Sequence, residues 1–200
     1  MLETKVSAEG PESIVLDASA LRLTEEQFFR LCLDNRDLRL EMTANGEIII
    51  MTPTGSETGR RNSEINYQLN HWAKRDGRGV VFDSSAGFKL PNGAQVAPDA
   101  AWVRRERYEA LSPEQRSKFA PLCPDFVIEL RSPQDRLPRL QSRLNEYLEN
   151  GAHLGWLIDP STRTVHLYLP GQAVTILKDP ATVSGDPLLS SFVLDLREVW

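Results

Sequence analysis

Cysteine is scarce in this chain: Cys32 and Cys123 are the only two. Neither belongs to a Cys-x-x-Cys pair, so disulfide scaffolds and zinc ribbons are excluded. Both have apolar neighbours, which predicts buried, reduced thiols. Histidine is nearly as rare. His71, His153 and His166 lie far apart, form no HExxH or other ligand pair, and are expected at the surface. No GxGxxG or GxxxxGKS/T phosphate loop is present. No serine has the context of a nucleophile elbow. No apolar run approaches the roughly 18 residues that span a bilayer. The opening MLETKVSAEGPES lacks the hydrophobic stretch of a secretion signal. These absences lead to the expectation of a cytoplasmic protein with no membrane attachment.

What is present is ordinary in amount and uneven in placement. A chain of 200 residues, 40% hydrophobic and 26% charged, has the composition of one soluble domain and can bury a full core. Residues 1–20 are aperiodic and predict a flexible tail, followed by a single domain over 21–200. The net charge of -5 averages unlike parts. Residues 1–57 hold 5 basic and 11 acidic side chains, residues 58–143 hold 15 and 10, and residues 144–200 hold 3 and 7. The basic middle third is where a phosphate footprint would lie.

The local patterns predict an α/β or α+β fold. Thr24 to Gln27 reads as a capping box that opens a short helix. Residues 38–42 alternate like a half-buried strand, and Asn45-Gly46 turns the chain back into residues 48–51. Ile65, Leu69 and Trp72 form the buried stripe of a helix over 57–75. Residues 126–130 read as a core strand, and residues 138–149 as a helix closed by Asn150-Gly151. Hairpin strands follow at 155–159 and 165–169. The expected core includes Ile49, Ile65, Leu69, Trp72, Val127, Ile128, Leu130, Leu144, Leu148, Trp156 and Ile158.

Two features stand out chemically. Glu129 lies inside the core strand, where an unpaired carboxylate is costly. Pro98-Asp99 interrupts the apolar run from Val96 to Val103, and such interruptions re-aim side chains. Two carboxylates on neighbouring strands suit Mg²⁺ or Mn²⁺, which bind one or two carboxylates and keep several waters. Arg131 shares the strand face of Glu129. Arg136, Arg139 and Arg143 follow along one side of the next helix. Helix 57–75 offers Glu64 as a third acid, with Arg60, Arg61, Lys74 and Arg75 around it.

These segments together resemble a bacterial family of putative restriction endonucleases within the PD-(D/E)xK nuclease superfamily. The resemblance rests on Pro98-Asp99, the stretch from Pro124 to Pro133, Tyr147, Gly151, and Gly155 to Pro160. It extends over roughly residues 24–200. It implies a restriction-endonuclease-like mixed sheet of four strands flanked by helices, with additional β-hairpins. It implies Asp99 and Glu129 as catalytic metal ligands, with the carbonyl of Leu130 beside them. Glu64 is the implied third acid, with Glu41 and Glu47 as competitors. The superfamily lysine would stand at Arg131 or, as in many relatives, at Arg143. Arginine keeps its proton and cannot act as a general base, but it can stabilise a charged phosphorane.

The expected activity is metal-dependent endonucleolytic hydrolysis of nucleic acid, most plainly DNA. Arg60, Arg61, Lys74, Arg75, Arg136 and Arg139 would hold its phosphates. A homodimer is compatible with this pattern. The alternative is a nuclease fold weakened in catalysis and serving as a DNA-binding or protein-interaction module.

Overall fold

A computed structural model describes residues 13–200. In chain order its elements are β1 (Ser13–Asp17), α1 (Glu25–Asp34), β2 (Arg39–Met42), β3 (Glu47–Met51) and α2 (Ser56–Asp76). Next come β4 (Gly79–Asp83), β5 (Phe88–Lys89), β6 (Gln95–Val96), β7 (Ala100–Arg104), α3 (Arg105–Glu109) and α4 (Pro113–Arg116). The rest is β8 (Phe126–Leu130), α5 (Leu137–Glu149), β9 (Leu154–Asp159), β10 (Thr164–Tyr168), β11 (Thr175–Lys178), β12 (Thr182–Ser184) and β13 (Val193–Asp195).

Two sheets dominate. One has the strand order β1-β3-β2-β6-β5, and the other β11-β10-β9-β8-β7-β4. The second is wider than the four strands implied by resemblance. It is mixed: β8 and β9 are parallel, and its other neighbours are antiparallel. A parallel pair needs a crossover, and α5 supplies it. Residues alternate across β8 as the pleat requires. Phe126, Ile128 and Leu130 join Ile65 and Leu69 of α2 in the main core with Trp102 and Trp156. Val127 faces the other way, against Leu140, Leu144 and Tyr147 of α5.

The smaller sheet has its own logic. Leu40, Met42 and Ile48 pack with Phe28 of α1. The intervening positions, Arg39 and Glu41, face the opposite side. The β2–β3 hairpin turns at Gly46, whose φ of 82° an L-residue with a side chain rarely adopts. Thr24 and Gln27 form the expected capping box.

Pro98-Asp99 does more than interrupt a strand. β6 belongs to the first sheet and β7 to the second, so the three residues Ala97 to Asp99 carry the chain from one to the other. Proline, with no amide to donate, suits this break in the ladder.

Several expectations need correction. Residues 13–17 are not a tail: β1 pairs with β3 along its length. Residues 1–12 of that expected tail lie outside the described residues. Ile49, Trp72 and Leu148 are half-buried, and Ile48 takes the core position on β3. Cys123 is buried, but Cys32 is only half-buried. His166 is not at the surface, being 5% exposed, because β10 lies between β9 and β11 and has few exposed positions. Among the described residues, no helix is long and apolar enough to cross a membrane.

Candidate active site

The acidic centre lies where the two sheets meet. β2 brings Glu41 from the smaller sheet, and β8 brings Glu129 from the larger one. The crossing segment brings Asp99. Glu41 and Glu129 are 1% and 5% exposed, so both depend on partners. α5 supplies the main one. Arg143 donates Nε–H to Glu129 Oε1 at 2.7 Å. Its Nη1 and Nη2 donate to the two oxygens of Glu41, each at 2.6 Å. This bidentate fork is the geometry arginine provides and lysine does not.

The remaining contacts fix each acid. Glu41 Oε1 also accepts the Ala97 amide at 2.9 Å. Glu129 Oε1 accepts the Tyr147 hydroxyl at 3.2 Å. Asp99 Oδ2 accepts the Leu130 amide at 2.9 Å, which ties the crossing segment to the end of β8. Asn66 of α2 donates to the Asp99 carbonyl at 3.0 Å. Arg39 Nη2 donates to the Ala97 carbonyl at 3.0 Å. Its Nε is buried with no partner among the described residues.

One cation between two carboxylates neutralises them unequally. Burial works to raise the Glu41 pKa, but the Arg143 charge and hydrogen bonds outweigh it and hold Glu41 below its usual value. Glu129 receives only one Arg143 donor. Burial is the main cause that lifts it, and the charges of Asp99 and Glu41 add to burial against the pull of Arg143. Its pKa rises to about 8. Burial also raises Asp99, despite the Leu130 amide and the charges of Arg39 and Arg143. Of the two acids, burial therefore favours the protonated form of Glu129, while Arg143 favours the ionised form of Glu41.

Asp99, Glu129 and Leu130 line one small cavity with Arg39, Thr58 and Arg143. Its volume is about 60 Å³, several times the roughly 10–15 Å³ that one water needs on the same measure. Asp99 Oδ1 and Glu129 Oε2 have no hydrogen-bond partner among the described residues. No group of three or more His, Cys, Asp or Glu among the described residues is arranged as a metal cage. The donor set is thus two carboxylates, which fits Mg²⁺ or Mn²⁺ with water completing the shell. Glu41 is taken up by Arg143.

The other expected site residues lie elsewhere. Arg131 does not face this cavity. The β8–β9 register sets Leu130 beside Ile158, so Arg131 falls beside Asp159 and binds its Oδ2 at 2.7 Å. Glu64 is not the third acid. It lies six residues beyond Thr58, about 600° of helical rotation, on a different face of α2. There it accepts from Gln68 at 2.9 Å. Glu47 is held by Thr43 in its own hairpin. Glu41, one of the three competing acids, is the one that reaches the centre.

The expected phosphate-binding arginines are mostly engaged within the chain. Arg60 and Arg61 pair with Glu57, and Arg60 also reaches the Glu198 carbonyl. Arg75 contacts His71. Arg136 stands at the N-cap position of α5 without a side-chain capping bond and has a partner of its own. Arg139 lines the cavity and bonds the Ser13 hydroxyl. Lys74 is exposed on α2. Sequence reasoning missed Arg39 and the part played by Tyr147. A signal for the first was present: Arg39 and Glu41 share the polar face of an alternating strand.

A mixed sheet with acids at its junction, a crossover helix and flanking helices defines a nuclease-like α+β fold. The chain belongs to the Uma2 family, described as putative restriction endonucleases, whose model matches residues 25–197. Among solved structures it is similar to a putative nuclease belonging to DUF820 from Anabaena variabilis. The TM-score is 0.72 at 22% identity, covering 88% of this chain and 97% of that one. That likeness is one of fold. No curated protein matches the chain.

Proposed function

We propose that this chain hydrolyses nucleic-acid phosphodiester bonds with a divalent cation held by Asp99 and Glu129. One observation carries the proposal: both carboxylates line a single small cavity, each with one oxygen fixed and one free of partners among the described residues. Mg²⁺ or Mn²⁺ bound there supplies an activated water and stabilises charge on the phosphoryl oxygens. The carbonyl of Leu130 and water complete the proposed donor set. The chain's own groups do the positioning. The Leu130 amide orients Asp99, while Arg143 and Tyr147 orient Glu129. Arg39 and Arg143 place positive charge beside the cavity, where it favours the negative charge that develops on phosphorus oxygens. Arg143 holds Glu129 and does not take up a proton. The proposed activity puts the protein with DNA in the cytoplasm.

The test is supercoiled plasmid incubated with Mg²⁺ or Mn²⁺, with and without EDTA. Nicking that needs the metal and disappears in Asp99→Asn and Glu129→Gln supports the reading. Sizing chromatography of the same sample tells whether the active species is a homodimer. One observation favours a second reading: every Arg143 donor nitrogen is already committed to Glu41 or Glu129, and no lysine among the described residues lines the cavity. On that reading the fold binds nucleic acid without cutting it. Metal-independent binding with no cleavage under any divalent cation would select it.

A further inference from the structure

The outward side of α2 carries an unusual run of residues. Ser63, Asn66, Tyr67, Asn70, His71 and Lys74 line a shallow depression of about 410 Å³. None of the six is acidic, in a chain of net charge -5. The acids of the helix are directed elsewhere: Glu57 to Arg60 and Arg61, Glu64 to Gln68, and Asp76 to Arg78. Tyr67 is 62% exposed and lies stacked on His71, with ring centroids 5.8 Å apart and planes 23° from parallel. A large aromatic face held open by a neighbouring ring is a platform for a flat ligand.

The run reaches the acidic centre through one residue, Asn66, at its edge. Asn66 bonds the Asp99 carbonyl, and its own Oδ1 is buried without a partner among the described residues. Gly59 lies two turns before Asn66 on the same stripe of the helix. Glycine in a helix costs up to about 1 kcal/mol relative to alanine. A Cβ at Gly59 would meet nothing within 4 Å, so packing does not require the glycine. A bare helix surface there suits the close approach of another backbone. From Gly59 to Lys74 the helix rises about 22 Å, which is about six stacked nucleotides at ~3.4 Å each.

The charge on this face selects the strand type. Duplex binding relies on many lysines and arginines neutralising phosphates. Here Arg60 and Arg61 share the one acid Glu57, which leaves Lys74 and Arg75, the latter against the His71 ring, as the few cations beside the depression. An aromatic platform with amides and a few charges fits unpaired bases instead.

We propose that the outward face of α2 is the track for an unpaired nucleic-acid strand. Tyr67 stacks on a base, and Asn70 and Lys74 meet the adjoining base edge and phosphate. The strand's backbone passes Gly59 into the Asp99–Glu129 cavity. The inference rests on the nuclease reading and names the substrate form that reading leaves open.

The test is fluorescence anisotropy in EDTA at low salt, with labelled single-stranded DNA, single-stranded RNA and duplex DNA 20-mers. The wild type is expected to bind a single strand more tightly than the duplex. Tyr67→Ala should weaken single-strand binding about five-fold or more, while Tyr67→Phe keeps it. Lys74→Gln should reduce the salt slope by about 0.7. Gly59→Gln should leave the melting temperature unchanged or higher and still weaken binding. Tighter duplex binding together with a neutral Tyr67→Ala overturns the track. If metal-dependent nicking persists in that result, the nuclease reading stands and only the track fails. If the wild type binds no nucleic acid at low salt, both fail.

Discussion

Replacing Arg143 by methionine removes the cation between Glu41 and Glu129 while keeping most of the side chain's length. The structure sets the cost. Glu41 is 1% exposed, and in the wild type Arg143 holds it ionised, with its pKa below the usual value. Without Arg143 it must remain charged in a buried site or take up a proton. Protonating a carboxyl whose unfolded pKa is near 4.5 costs about 1.4 kcal/mol for each pH unit above that value. This route costs about 5 kcal/mol near pH 8 and about 1 kcal/mol near pH 5. The first figure agrees with the roughly 3–5 kcal/mol usual for breaking a buried ion pair.

The sign follows from linkage. A lowered Glu41 pKa contributes wild-type stability above the unfolded pKa, and that contribution fades as pH falls through the folded value. Loss of Arg143 therefore matters most at high pH. Glu129 behaves oppositely. Its raised pKa gives a contribution that is full below the unfolded value and lost as pH rises through about 8. Burial favours the protonated form of Glu129, so Arg143→Met costs less through Glu129 than through Glu41. At roughly 2–4 °C per kcal/mol for a chain of this size, the melting temperature should fall by about 10–20 °C near pH 8 and by about 2–4 °C near pH 5. Urea titrations of both proteins at the two pH values read the difference directly. Adding Glu41→Met to Arg143→Met should restore much of the loss near pH 8, because the stranded charge is then gone. An equal loss at both pH values, or a double variant no better than the single one, refutes this account of the centre.

Glu129→Gln should change metal-free stability near pH 7 by less than about 1 kcal/mol, since the neutral acid and the amide are close in shape and charge; urea titration measures it, and cleavage should still disappear. Mg²⁺ or Mn²⁺ should raise the wild-type melting temperature by mass action, and the rise should vanish in Asp99→Asn. Arg131→Lys should leave plasmid nicking within about two-fold, because Arg131 is bound to Asp159 away from the cavity; a large gain would relocate the centre. Leu144→Ala should cost about 2–5 kcal/mol by calorimetry, because Leu144 is fully buried between α5 and β8.

Much of the scaffold was legible in the residues themselves. The stripe Ile65-Leu69 fixed the buried face of α2, Asn45-Gly46 fixed the β2–β3 hairpin, and the Thr24–Gln27 box fixed the start of α1. Each is a relation between residues a few positions apart, so backbone geometry alone turns it into structure. Glu129 and Pro98-Asp99 stood out for the same local reason: each breaks an apolar run that the sheet would otherwise bury.

The partners of those acids could not be read in that way. Glu41 and Arg143 are 102 residues apart and meet only because the chain crosses between sheets at Ala97 to Asp99. Arg131 shares a strand face with Glu129 in the sequence pattern, yet the register with β9 gives it to Asp159. Glu64 was the expected third acid, ahead of Glu41 and Glu47, but the rotation of α2 turns it toward Gln68. The arginines of the basic middle third looked like a phosphate footprint until Glu57 engaged two of them. Short-range periodicity was enough to place α1, α2, α5, β2, β3 and β8 and to show which carboxylates are out of place, though not to reveal β1, which only its pairing with β3 makes a strand. Only the tertiary structure decided which charge neutralises which, because that depends on sheet register and the crossing of the chain, and no local pattern encodes either.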